Sequence, residues 1–315
     1  MPPSPPLTAA STGEGISRAA FLRLAAGAAV AASCGLSASG EAAMDKMHTR
    51  PIPANNEALP VVGCGTWQTF DVGARSRAPL IDVLRTLFDA GGSVIDSSPM
   101  YGAAEAVVGD LLAAMRARQR AFVATKVWTS GRDAGIAQMR RSLALLKCGQ
   151  IDLMQVHNLL DWRTQLATLR AWKREGRIRY LGVTHYTPSA YGDLEAVMRA
   201  ETLDFVQFDY ALDDRAAEQR LLPLAADRGI AVIVNRPFGG GGLLRRLAGR
   251  PLPEWAGEIG CTSWAQILLK YILAHPAVTC VIPGTGRPEH MADNVRAGFG
   301  RYPDPALRAK MIAAL

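Results

Sequence analysis

The sequence predicts an α/β chain, a (β/α)8 TIM barrel with an N-terminal signal-like extension and an extra C-terminal helix. Three observations carry that expectation. Short apolar runs alternate with longer helix-period segments from Val61 onward, the pattern of a parallel sheet with helices packed outside it. Eight such pairs fit within about 250 residues, the ordinary scale of such a barrel. Polar or aromatic residues recur where the apolar runs stop. A doubly wound open sheet is the alternative, but no Gly-x-Gly-x-x-Gly fingerprint follows the first run.

In chain order, the opening Pro/Ser/Thr-rich stretch leads to Ser17-Arg18-Ala19-Ala20-Phe21-Leu22-Arg23 and an Ala-rich apolar run to Ala32. A basic start, a short apolar middle and small residues after it make an export signal over residues 1–40, which places the mature protein in the periplasm or otherwise outside the cytoplasm. The segment resembles a twin-arginine signal with Ala19 in place of the second Arg. Ala31-Ala32-Ser33-Cys34 resembles a degenerate lipobox that would put a lipid on Cys34. The alternative is an extension on a cytoplasmic enzyme. Residues 41–59 read as a polar linker, and the barrel as 60–315.

Within the barrel, the apolar runs place strands at 61–65, 93–96, 122–126, 151–157, 180–184, 205–207, 231–235 and 280–282. The intervening helical segments are 79–90, 104–116, 136–146, 164–174, 189–200, 216–228 and 262–274. The eighth helix covers 287–297, and an extra one 305–315.

The formal charge of +7 comes mainly from scattered Arg, with no run of like charge and no basic and aromatic stripe, so a nucleic-acid partner is not expected. Lysine is confined to Lys46, Lys126, Lys147, Lys173, Lys270 and Lys310, which makes a Lys at a strand end notable. Cys34, Cys64, Cys148, Cys261 and Cys280 lie far apart, without the spacing of a zinc site, and no metal is expected.

In a barrel of this class, function sits at the ends of the strands. Those ends read Gly65-Thr66-Trp67, Asp96 with Tyr101 just beyond, Lys126, His157, Thr184-His185, Gln207, Asn235-Arg236 and Gly284-Thr285. Any one has a structural explanation, as a helix cap, a rim charge or a bonded core histidine. Together they form a chemical set. A phenol is a weak acid at neutral pH, and a nearby ammonium lowers its pKa. Lys126 is placed to do this for Tyr101, with Asp96 holding Lys126 charged and His157 hydrogen-bonding a carbonyl oxygen.

On these residues the chain resembles the aldo-keto reductases from Pro60 to the C-terminal region. The family's Asp, Tyr, Lys and His fall on Asp96 and Tyr101 in Asp96-Ser97-Ser98-Pro99-Met100-Tyr101-Gly102, Lys126 in Ala124-Thr125-Lys126-Val127-Trp128, and His157 in Gln155-Val156-His157-Asn158. The resemblance implies reduction of an aldehyde or ketone, and a substrate pocket lined by Trp67, Met100, Trp128 and Trp162. It implies a cofactor site made from Thr66, Thr184, His185, Gln207, Asn235, Arg236, Pro237, Phe238, Gly284, Thr285, Arg287, His290 and Asn294. His185 stands where the family has Asn, and Asn235 stands near its stacking aromatic, leaving Arg236 as a stacking candidate. Gly284 and His290 replace the Lys and Arg that grip a 2′-phosphate, and Arg287 is the compensating contact. NADP(H) is expected, with NAD(H) as the alternative, in a monomer acting on a small carbonyl compound. The competing reading is an exported nucleotide-binding sensor with little catalysis.

Overall fold

The structure, a computed structural model, describes Met1 and residues 46–315. The signal-like segment and the lipid site at Cys34 lie outside the described residues.

The part of the expected linker that is described is not a linker. Strands β1 (Thr49–Ile52) and β2 (Glu57–Pro60) pair antiparallel, with Ile52 opposite Glu57 and Leu59 opposite Arg50. Asn56 makes the turn in the left-handed region at φ 61°, which Asn tolerates better than most residues. Ile52 and Leu59 are fully enclosed in the same apolar cluster as Phe122, Tyr180 and Phe205. The hairpin thus plugs the N-terminal end of the barrel. Each of its strands sends so few apolar residues inward that the alternation is lost in the polar text around it.

Eight parallel strands follow in sequence order: β3 (Cys64–Gly65), β4 (Val94–Asp96), β5 (Phe122–Val127), β6 (Ile151–His157), β7 (Ile178–Thr184), β8 (Phe205–Asp209), β9 (Ala231–Asn235) and β10 (Val278–Val281). Single bridges from Val62 to Val281 and from Gly65 to Gly284 bring β3 against β10, so the barrel is nearly closed, the arrangement expected of a (β/α)8 fold. Gly65 is required there, because a Cβ would lie 2.9 Å from the Ile282 carbonyl oxygen.

The outer layer contains α1 (Ala78–Asp89), α2 (Ala104–Ala114), α3 (Arg132–Leu145), α4 (Trp162–Arg174), α5 (Tyr191–Ala200), α6 (Leu221–Arg228), α7 (Gly242–Leu247), α8 (Trp264–Leu273), α9 (Pro288–Val295) and α10 (Pro305–Ala313). The expected helix over 216–228 is split into a 3-10 turn (Ala216–Gln219) and α6, broken at Arg220. Restarting the helix puts Pro223 in a first turn, where its missing N–H leaves no gap. Gly229 ends α6 at φ 62°, a left-handed stop that costs glycine little.

Side chains alternate across each strand, so every second residue faces the barrel axis. Read from the plugged end upward, these inward series run Phe122–Ala124–Lys126, Leu153–Gln155–His157, Tyr180–Gly182–Thr184, Phe205–Gln207–Asp209 and Ala231–Ile233–Asn235. Each begins apolar and ends polar. The sequence therefore builds a dry floor and a polar mouth from the same five strands.

Candidate active site

Asp96 and His157 end β4 and β6, and Lys126 lies one residue before the end of β5. All three are buried. Lys126 Nζ donates to Asp96 Oδ2 at 2.6 Å and to the Ser97 carbonyl at 2.7 Å. The other Asp96 oxygen accepts from Gln207 Nε2 at 3.1 Å and Gln155 Nε2 at 3.4 Å. Parallel register explains the second contact, since Gln155 is paired directly with Lys126.

Tyr101 reaches this cluster from the loop between β4 and α2. Its ring centroid is 5.2 Å from Lys126 Nζ and 5.9 Å from the His157 ring, which it meets edge-on. Burial pushes the Tyr101 phenol pKa up, and it wins over the lowering by the Lys126 charge and hydrogen bond. The sequence expectation of a net lowering by Lys126 is corrected here: the ammonium acts in that direction but does not outweigh desolvation. For Lys126 the balance is reversed. Burial opposes its charge, and the Asp96 and Tyr101 charges overcome that, leaving its pKa raised. Burial first, then the Lys126 and His185 charges, press the His157 pKa down to about 2. The imidazole is neutral at any ordinary pH.

The expected cofactor residues separate into three groups. Thr184 Oγ1 donates to Gln207 Oε1 at 2.9 Å, as their paired register dictates, and the His185 N–H donates to the Gln207 carbonyl. Asn235 Nδ2 donates to the His185 carbonyl at 3.1 Å, while its Oδ1 is buried without a partner. Arg236 is turned by a left-handed φ of 48°. Its guanidinium lies 5.7 Å from the Tyr186 ring and donates to the Tyr186 carbonyl. Arg236 therefore stacks within the protein, and Tyr186 in turn lies parallel to the His185 ring at 5.4 Å. Pro237 is buried beneath this turn, and Phe238 packs on the strand–helix core.

Thr66 belongs to a different group. Its hydroxyl and N–H both meet the Asp96 carbonyl, at 2.9 and 3.0 Å, so its side chain braces β3 against β4. After β10, Gly284 is exposed and Thr285 is buried, with Thr285 Oγ1 accepting the Arg287 N–H at 3.1 Å. Arg287 is exposed and bonds Glu289 through Nε at 2.7 Å. On α9, His290 is exposed and Asn294 is buried.

Trp67, Met100, Trp128 and Tyr186 are, apart from Met1, the exposed large apolar side chains of the described residues, and all four follow strand ends. Trp128 lies 6.4 Å from the His157 ring. Trp162, expected with them, instead packs on the strand–helix core with the Arg163 guanidinium 4.2 Å from its ring. Sequence reading passed over Ser98, whose Oγ lies 3.0 Å from His157 Nδ1, and Gln155. The two-residue period that puts Gln155 on the same face as His157 was a usable signal. For Ser98 the only signal was its place in the Asp96–Tyr101 loop. Among the described residues, no group of three His, Cys, Asp or Glu side chains could hold a metal ion.

A phenol beside a buried ammonium held by a carboxylate, and next to a neutral imidazole, is a set that can deliver a proton to a carbonyl oxygen. Comparison with known proteins gives the family. The family model described as "Aldo/keto reductase family" matches residues 61–307. The chain belongs to the aldo/keto reductase family. It is accordingly an NAD(P)H-dependent oxidoreductase. A methylglyoxal reductase of Escherichia coli is 28% identical over 244 residues, covering 75% of this chain and 84% of the relative. An aldo-keto reductase from Klebsiella pneumoniae, solved in complex with NADPH, superimposes with a TM-score of 0.73 at 25% identity, covering 85% and 95% of the two chains. A Klebsiella pneumoniae structure with NADP and acetate gives 0.71 at 25% identity, covering 82% and 92%.

Proposed function

We propose that this reductase converts an aldehyde or ketone to an alcohol using NADPH, with Tyr101 as the proton donor. The observation that carries this reading is Lys126, buried and bonded to Asp96, with its charge directed at the Tyr101 phenol.

The mouth of the barrel fits a nicotinamide. Thr184 and Gln207 present a hydroxyl and an amide side by side, and the unpartnered Asn235 Oδ1 is an acceptor suited to a carboxamide N–H. The turn from Thr285 to Arg287 and the first N–H groups of α9 would hold phosphate, with Arg287 the cation for a 2′-phosphate. The NADP(H) complexes of the Klebsiella relatives support NADP(H) over NAD(H). When bound, the cofactor supplies the hydride.

The protein's own groups handle the oxygen. His157 stays neutral and donates a hydrogen bond to the carbonyl, polarising it without giving up a full proton. Tyr101 is held protonated in the resting site, which is the state a reduction needs. As negative charge grows on the oxygen, the phenol proton moves to it, and the Lys126 ammonium stabilises the phenolate left behind. Asp96 keeps Lys126 charged and fixed in place. Trp67, Met100 and Trp128, exposed beyond the strand ends, would cover the reacting carbon from water once substrate is bound.

The methylglyoxal reductase relative makes methylglyoxal the first compound to try. The test is NADPH consumption by the purified protein over a panel of aldehydes and ketones, methylglyoxal among them. Turnover is expected, and failure on every member would overturn the reading. Residues 1–40 are proposed to direct export, and Cys34 to carry lipid. Mass analysis of the mature protein tests both.

A further inference from the structure

We propose that Ser98 is a positioning residue that fixes His157 in the tautomer carrying its proton on Nε2. Which ring nitrogen of a neutral histidine is protonated follows from the hydrogen bond made by the other. His157 Nδ1 lies 3.0 Å from Ser98 Oγ, and both residues are buried. Nε2 has no hydrogen-bond partner among the described residues and is not closed off from solvent, beside Tyr101 and Trp128.

The direction of the Ser98 bond follows from counting donors. A hydroxyl has one proton and two lone pairs. Ser98 Oγ already accepts the Met100 N–H at 3.3 Å, because the intervening Pro99 has none to give. The Ser98 O–H then has a single acceptor in reach among the described residues, which is Nδ1. A proton on Nδ1 would leave that O–H buried with no acceptor, an arrangement folded proteins avoid. Ser98 therefore donates, Nδ1 accepts, and the remaining ring proton sits on Nε2, aimed at the carbonyl oxygen. The depressed basicity of His157 adds independent support, since a neutral ring must choose between two tautomers. The inference rests on the proposed carbonyl chemistry for its consequence, but not for its geometry.

The experiment is nitrogen NMR of the full chain, labelled at histidine, with and without NADPH, paired with steady-state kinetics. His157 is expected to show a protonated Nε2 and a bare Nδ1. Ser98→Ala is expected to mix the tautomers and to lower kcat about five- to tenfold with KM little changed, the size of one hydrogen bond. Ser98→Thr keeps the hydroxyl and is expected to restore the Nε2 form. A proton on Nδ1 in the unaltered protein, or a Ser98→Ala variant with unchanged tautomer and kcat, would overturn the assignment. Should the protein reduce no carbonyl while the tautomer still depends on Ser98, the proposed function fails and the positioning role stands.

Discussion

Lys126 Nζ and Asp96 Oδ2 lie 2.6 Å apart with both side chains almost wholly enclosed, and this pair is the electrostatic centre of the mouth. A buried pair is costly to break from one side, because the surviving charge is left without a partner. Lys126→Met is expected to destabilise the protein by about 3–5 kcal/mol and to abolish turnover. Adding Asp96→Asn should return part of that stability and none of the activity. Chemical unfolding of the single and double variants checks this, and additive losses would contradict it.

A second expectation concerns pH. His157 has its pKa depressed to about 2, and Tyr101 is raised above its ordinary value of about 10. Neither group changes state between about pH 5 and pH 8, so kcat/KM for reduction should be flat there and fall only on the alkaline side, as Tyr101 loses its proton. A limb near pH 6.5 assigned to His157 would contradict the neutral imidazole. Stability carries the matching sign. An unfolded His157 takes up a proton below about 6.5 and the folded one does not, so its contribution to stability is present above that pH and is lost as pH falls toward 2.

The hairpin makes a separate prediction, at the other end of the barrel. Leu59 is enclosed among the floor residues, so Leu59→Ala should cost about 2–5 kcal/mol while leaving kcat near its original value. Thermal unfolding and kinetics below the transition check it. An equal loss of kcat would mean that the floor and the mouth are coupled.

The proposed preference for NADPH rests on Arg287 and, through it, on Glu289. Arg287 bonds Glu289 in the described structure and must exchange that partner to meet a 2′-phosphate. Arg287→Ala is expected to raise KM for NADPH roughly 10- to 100-fold, as for a lost charged hydrogen bond, and to leave KM for NADH unchanged. Glu289→Gln should lower KM for NADPH. Equal effects on both nucleotides would remove Arg287 from the phosphate site.

The central residues were legible because each places an ionisable group where an apolar run stops, and four such groups on neighbouring strands need a common explanation. The sheet was legible for a similar reason, since its strands are continuous apolar runs. The hairpin was not, because it sends little more than Ile52 and Leu59 into the floor. Nor was the direction of Arg236, which depends on a left-handed turn and on Tyr186, fifty residues earlier in the chain. Ser98 could be seen but not weighed. A serine gains meaning only when the geometry shows that, among the described residues, Nδ1 of His157 is the one acceptor for its hydroxyl.

The most direct measurement is the single-turnover and steady-state behaviour of Tyr101→Phe with NADPH and a reducible aldehyde. The variant removes one hydroxyl and leaves the aromatic contact with His157 in place. The nucleotide should bind as before, and turnover should fall by about 100-fold or more, the scale of a lost general acid. Carbonyl reduction at the original rate would contradict the role of Tyr101 as proton donor.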